Sequence, residues 1–170
     1  MTFFPAEVLP VVSVLANMIH FLLGTPILII FMILYRVPFT PYLVFFPVIV
    51  FIQLVLTLGF SLLVSSLSVH FRDLRDILAN LLTLWFFSSP IIYPLTFVVQ
   101  QEDQLISRIF RKVLYVNPLS YIMDGYHQSI FHGNMPDLQH LVIVFTGSLF
   151  LFFFGYFVFD RLRDTFAEEV

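Results

Sequence analysis

Four long apolar runs divide this chain, at roughly 8–35, 42–67, 77–99 and 138–159, with polar residues gathered between them. An α-helix rises about 1.5 Å per residue, so each run is long enough to cross about 30 Å of hydrocarbon. The breaks carry their own signals. "YRVPFTPY" separates the first two runs: Pro38 and Pro41 favour a turn, and Tyr35 and Tyr42 suit a membrane–water interface. "HFRDLRD" separates the second and third, and the polar stretch "FDRLRDTFAEEV" follows the fourth.

The stretch from Gln100 to Asp137 is too polar to cross a membrane and too apolar to be a plain loop. Leu105, Ile106, Ile109, Phe110, Val113 and Leu114 recur at helical spacing, with Ser107, Arg108, Arg111 and Lys112 on the other face. This pattern predicts an amphipathic helix over about 104–116. "NPLS" predicts a second start, with Asn117 as N-cap and Pro118 at the first helical position. The second helix, over about 118–131, carries Leu119, Ile122, Met123, Tyr126 and Ile130 against Ser120, Asp124, His127 and Gln128, and Gly133 and Pro136 end it. The expected fold is therefore an all-α integral membrane protein. It has about four transmembrane helices and a pair of short interfacial helices between the last two spans, in a single domain over 1–170.

Composition supports lipid as the solvent. Charged residues make up 11% of the chain and hydrophobic residues 59%, whereas soluble domains carry about 25% charge. The mean hydropathy is +0.96. A net charge of −3 with no basic patch gives no footprint for nucleic acid, and the absence of Cys removes disulfide and thiolate chemistry. No cleaved leader is expected from "MTFFPAEVLP", which has no basic region. Charge does not settle orientation. Arg72, Arg75, Arg161 and Arg163 fall on one side of a four-span topology, and Arg36, Arg108, Arg111 and Lys112 on the other.

Recognisable reaction chemistry is missing. There is no G-x-x-x-x-G-K-S/T phosphate loop, and the one lysine, Lys112, lies in an amphipathic helix. No H-E-x-x-H or comparable metal spacing is present, and His127 and His132, five apart, do not share an α-helical face well. The expectation is a chain that is not an enzyme and holds neither cofactor nor metal.

Four features carry two readings each. Arg72, Asp73, Arg75 and Asp76 form either a solvated turn or a docking element for a soluble partner. In "SSPIIYPL", Pro90 and Pro94 either end a span or kink it into a gate. The helix pair is either an anchor or a cap over a path. The polar set Asn17, His20, Gln53 and Thr57 either bonds neighbouring helices or lines water. The aromatic run "FLFFFGYFVF" reads as lipid-facing or packing surface.

These features stand in an order that resembles type-2 ABC transporter permeases of the polysaccharide-export kind, which export O-antigen, capsule or teichoic acid polymers from bacteria. "FFPAEVLP" resembles that family's F-P-x-E-x-L-P segment. "SLSVHFRDLRDIL" resembles its N-x-x-x-R-D loop, with Ser68 where Asn is common. "SPIIYPL" resembles its S-P-x-x-Y-P span end, and "NPLSYIMDGYHQSIF" its N-P helix before the last span.

The resemblance implies a permease subunit in the bacterial inner membrane, with the Arg72 loop and the C-terminus cytoplasmic. It implies an ATP-binding subunit on a separate chain, a second permease copy, a lipid-linked glycan substrate and surrounding lipid. Phe4, Pro5, Glu7, Arg72 and Asp73 would face the ATPase. Pro90, Tyr93 and Pro94 would shape the outer end of the path, with Tyr121, Asp124 and Tyr126 in the outer helix pair. It also implies that an interface helix and two spans belong before this segment, so that the chain is a fragment or a partner supplies the rest. The alternatives are an exporter of drugs or small lipids and, in another class, a non-transporting scaffold for glycan assembly.

Overall fold

The computed structural model describes residues 8–70, 74–91 and 112–166, and every regular element among them is helical. Three helices are long and apolar enough to cross a membrane: Val8–Leu34, Pro41–Ser68 and Leu138–Leu162. The chain is a multi-pass, all-α membrane protein.

Helix α1, Val8–Leu34, stays continuous through Pro26, as membrane helices often do because neighbouring groups take up the freed backbone acceptor. Ser13 and Asn17 turn back on the helix. Ser13 Oγ donates to the Leu9 carbonyl at 2.9 Å, and Asn17 Nδ2 to the Ser13 carbonyl at 2.9 Å. The helix ends in a Schellman motif: Val37 N–H donates to the Met32 carbonyl at 2.9 Å and Arg36 N–H to the Ile33 carbonyl at 3.2 Å. This places Arg36 in the left-handed region, at φ 55°. A 3₁₀ turn, Pro41–Val44, then leads into α2, Phe45–His70.

Helix α3, Leu74–Ser88, has 15 residues and is about 22 Å long, short of a full span. The remainder of the run expected over 77–99 lies beyond residue 91, outside the described residues, as does most of the helix expected over 104–116. The described end of that helix, 112–116, is helical. It is followed by α4, Pro118–Tyr126, a π-helical turn, His127–His132, and α5, Leu138–Phe166. Helix α5 continues into the polar stretch that follows the last apolar run.

The chain divides into two compact units. One comprises Met1–Pro38, Val50–Leu74 and Phe145–Val170, within which α2 and α5 meet backbone to backbone. A Cβ at Gly59 would lie 2.8 Å from the Phe152 amide nitrogen, and one at Gly155 2.8 Å from the Gly59 carbonyl oxygen. Glycine allows this approach, which side chains would block. Leu62, whose side chain lies beside Gly155, is buried, as are Ser66, Ser148 and Phe159 on the same two helices.

The other unit comprises Phe39–Ile49 and Arg75–Val144. Here α4 packs on the first residues of α2 and α5: Gly125 faces Ile49 and Leu141, and the Tyr126 ring meets Phe46 with centroids 5.6 Å apart. Ile122 is wholly buried.

Candidate functional site

The Ser-Pro break after α3 and the Asn-Pro start of α4 are held together by side-chain hydrogen bonds. At the break, Ser89 N–H donates to the Phe86 carbonyl at 3.1 Å, and Ile91 N–H turns back to the Ser89 carbonyl at 2.8 Å. Pro90 is thus the centre of a three-residue γ-type turn. Helix α3 stops at Ser88, two residues before Pro90, and Pro90 is fully buried.

Asn117 caps α4 as its sequence predicts, its Oδ1 accepting from Leu119 N–H at 3.0 Å. The same oxygen accepts from Trp85 Nε1–H at 2.8 Å. Both donors can only donate, so the amide oxygen must face them and Nδ2 must point the other way. Nδ2 donates to Ser89 Oγ at 2.7 Å, and Ser89 Oγ donates to the Trp85 carbonyl at 2.8 Å. Asn117 is 6% exposed and Ser89 1%, so water competes little for these bonds.

Helix α4 carries the three outer-helix residues named from the sequence. The Tyr121 hydroxyl donates to the Tyr115 carbonyl at 2.8 Å, and its ring stacks on His140 at a centroid distance of 4.5 Å. His140 Nδ1 lies 2.7 Å from Asp137 Oδ2, while Asp137 Oδ1 accepts from Gln139 N–H at 3.0 Å and from His140 N–H at 3.3 Å. Asp137 therefore caps α5, and these hydrogen bonds hold its carboxyl below the ordinary carboxylate range. Burial raises the Tyr121 hydroxyl pKa, with Tyr115 and Asp137 adding to the effect, and burial alone raises that of Tyr126. Both stay neutral phenols. Asp124 is half-buried on the same helix.

The π-turn changes the histidine geometry. An i→i+5 ladder aligns residues five apart, and His132 Nδ1 reaches the His127 carbonyl at 3.1 Å. The two residues that share no α-helical face are neighbours here. Burial lowers the His127 pKa, Asp124 opposes that shift and His132 adds to it. Gly133 closes the turn at φ 61°, where a Cβ would come within 2.7 Å of Thr40 Cγ2. Among the described residues no group of three or more His, Asp or Glu side chains is arranged for a metal ion.

Of the other residues singled out from the sequence, Phe4, Pro5, Glu7, Arg72, Asp73, Tyr93 and Pro94 lie outside the described residues. In the polar set, Asn17 and Thr57 bond the backbone of their own helices, Thr57 Oγ1 reaching the Gln53 carbonyl at 2.8 Å, and His20 is exposed. The sequence reading did not single out Trp85, Ser89, Tyr115, Asp137 or His140. The one available signal was that Trp85 is the chain's single tryptophan, and a buried indole N–H requires an acceptor.

A family model for the ABC-2 type transporter matches residues 3–131. The chain is 34% identical over 167 residues to the O-antigen export system permease protein RfbA of Myxococcus xanthus. It is 27% and 26% identical over 168 residues to two proteins of the same name from Klebsiella pneumoniae. These alignments cover 98% of the chain but 61–62% of the relatives' length. The chain therefore belongs to the ABC-2 type transporter family, and its matched residues include both the Ser-Pro break and the Asn-Pro helix start.

Proposed function

We propose that the chain forms part of the permease subunit of an ATP-driven exporter that moves a lipid-linked polysaccharide of the O-antigen class across the bacterial inner membrane. The observation that carries this reading is similarity along 98% of the chain to permeases named for O-antigen export. A separate ATP-binding subunit supplies hydrolysis, and two permease copies enclose the path. The chain holds no cofactor of its own, and its C-terminus is cytoplasmic. Phe4, Pro5, Glu7, Arg72 and Asp73 face the ATP-binding subunit. Pro90, Tyr93 and Pro94, with Tyr121, Asp124 and Tyr126, shape the outer end of the path.

The test is genetic. Deleting the gene that encodes the chain is expected to strip long polysaccharide from the cell surface and to accumulate lipid-linked polymer inside. Normal surface polymer after deletion overturns the reading.

A further inference from the structure

We propose that Asn117 is a positioning residue that locks the head of α4 to the broken end of α3, so that the two move as one corner during transport. The inference rests on the exporter reading, but its evidence is the local geometry. Pro90 removes a backbone donor where the α3 ladder stops, and Ile91 N–H is diverted to Ser89. A break of this kind is a natural hinge. The side chains remove that freedom. Trp85 Nε1–H donates to Asn117 Oδ1, Asn117 Nδ2–H to Ser89 Oγ, and Ser89 Oγ–H to the Trp85 carbonyl, so the bonds close a ring.

The direction of the ring is fixed, because the indole N–H can only donate and the carbonyl can only accept, while the Ser89 hydroxyl accepts from Asn117 and donates to Trp85. The links between the two segments join residues 32 and 28 positions apart, while Leu119 N–H ties the same Asn117 oxygen into the first turn of α4. A purely local cap needs only the Leu119 bond. The two further bonds tie Asn117 to the end of α3, the Ser89 bond buried and the Trp85 bond partly so, and they are what a rigid joint requires.

The chain contains no Cys, so paired cysteines can be introduced without background. The permease is assembled with its ATP-binding subunit and carries Ser89→Cys together with Asn117→Cys. The unmodified complex is followed beside it by amide exchange at Ile91, bonded to the Ser89 carbonyl, and at Leu119, bonded to Asn117 Oδ1, without nucleotide and with ATP trapped by vanadate. Equal exchange in both states is the expected result, and exchange about tenfold or more faster in one of them shows that the joint opens and overturns the proposal. In parallel, Asn117→Ala is expected to lower polymer export about tenfold at normal membrane abundance and ATPase association. The oxidised double-cysteine variant exports near the unmodified level and loses export on reduction with dithiothreitol. Unimpaired export by Asn117→Ala, or a permanent block in the oxidised variant, also overturns it. If the unmodified complex exports no polymer, the exporter reading fails, and the amide exchange at Ile91 and Leu119 still decides the rigid joint.

Discussion

Arg36 sits where L-residues seldom go. Its left-handed conformation is required by the Schellman end of α1, and the Val37 and Arg36 amides satisfy two carbonyls in return. Glycine adopts that conformation without a Cβ clash. Arg36→Gly is therefore expected to stabilise the folded chain by roughly 1 kcal/mol, read as a higher thermal midpoint in detergent micelles. Gly133 shows the reverse case. There a side chain meets both the left-handed backbone and Thr40, and Gly133→Ala is expected to cost about 1–3 kcal/mol in the same measurement.

His127 adds a pH dependence at this scale. Its folded pKa lies below the ordinary value of 6.5, so the opened turn takes up a proton before the closed one does. Above 6.5 both forms are neutral and the histidine costs nothing; as pH falls through 6.5 the closed turn loses stability. Amide exchange over 127–132, corrected for intrinsic rates, is expected to quicken on acidification, and His127→Gln should remove that dependence.

At the scale of elements, the α2–α5 crossing depends on two glycines. Gly59→Ala and Gly155→Ala each drive a methyl into backbone and are expected to destabilise by about 1–3 kcal/mol in thermal unfolding. The double variant should fall short of the sum, because both changes act on one contact. Gly24→Ala and Gly147→Ala are the controls: nothing lies within 4 Å of an added Cβ, and each should be neutral or stabilising by up to about 1 kcal/mol.

The helices themselves were legible in the sequence. Apolar runs predict the long helices because spanning hydrocarbon depends on length and composition, and Asn117-Pro118 marks the head of α4 because capping is local. The π-turn was not legible, because "HQSIFH" carries no mark that separates an i→i+5 ladder from an α-helical one. The polar residues inside the spans were read as bonding neighbouring helices or lining water, yet Asn17 and Thr57 donate to carbonyls of their own helices. In hydrocarbon a carbonyl one turn back is always within reach.

At the scale of the whole molecule, the proposed exporter reading puts ATP hydrolysis on a separate subunit, with Arg72 and Asp73 facing it. Arg72→Ala with Asp73→Ala, made in the full transporter, is expected to weaken co-purification of the ATP-binding subunit about tenfold or more and to reduce surface polymer in parallel. Unchanged co-purification and export would remove this loop from the coupling surface.

By itself the sequence determined that the chain is helical, lies in a membrane and resembles ABC-2 type transporter permeases, because hydropathy, proline positions and motif order are written along one dimension. Only the tertiary structure decided how the motifs meet. Trp85, Ser89 and Asn117 are brought within 2.7–2.8 Å across separations of 28 and 32 residues, and Gly59 is paired with Gly155. Such pairings depend on which helix faces are buried together, and that is fixed by packing in three dimensions rather than by the pattern of any one segment.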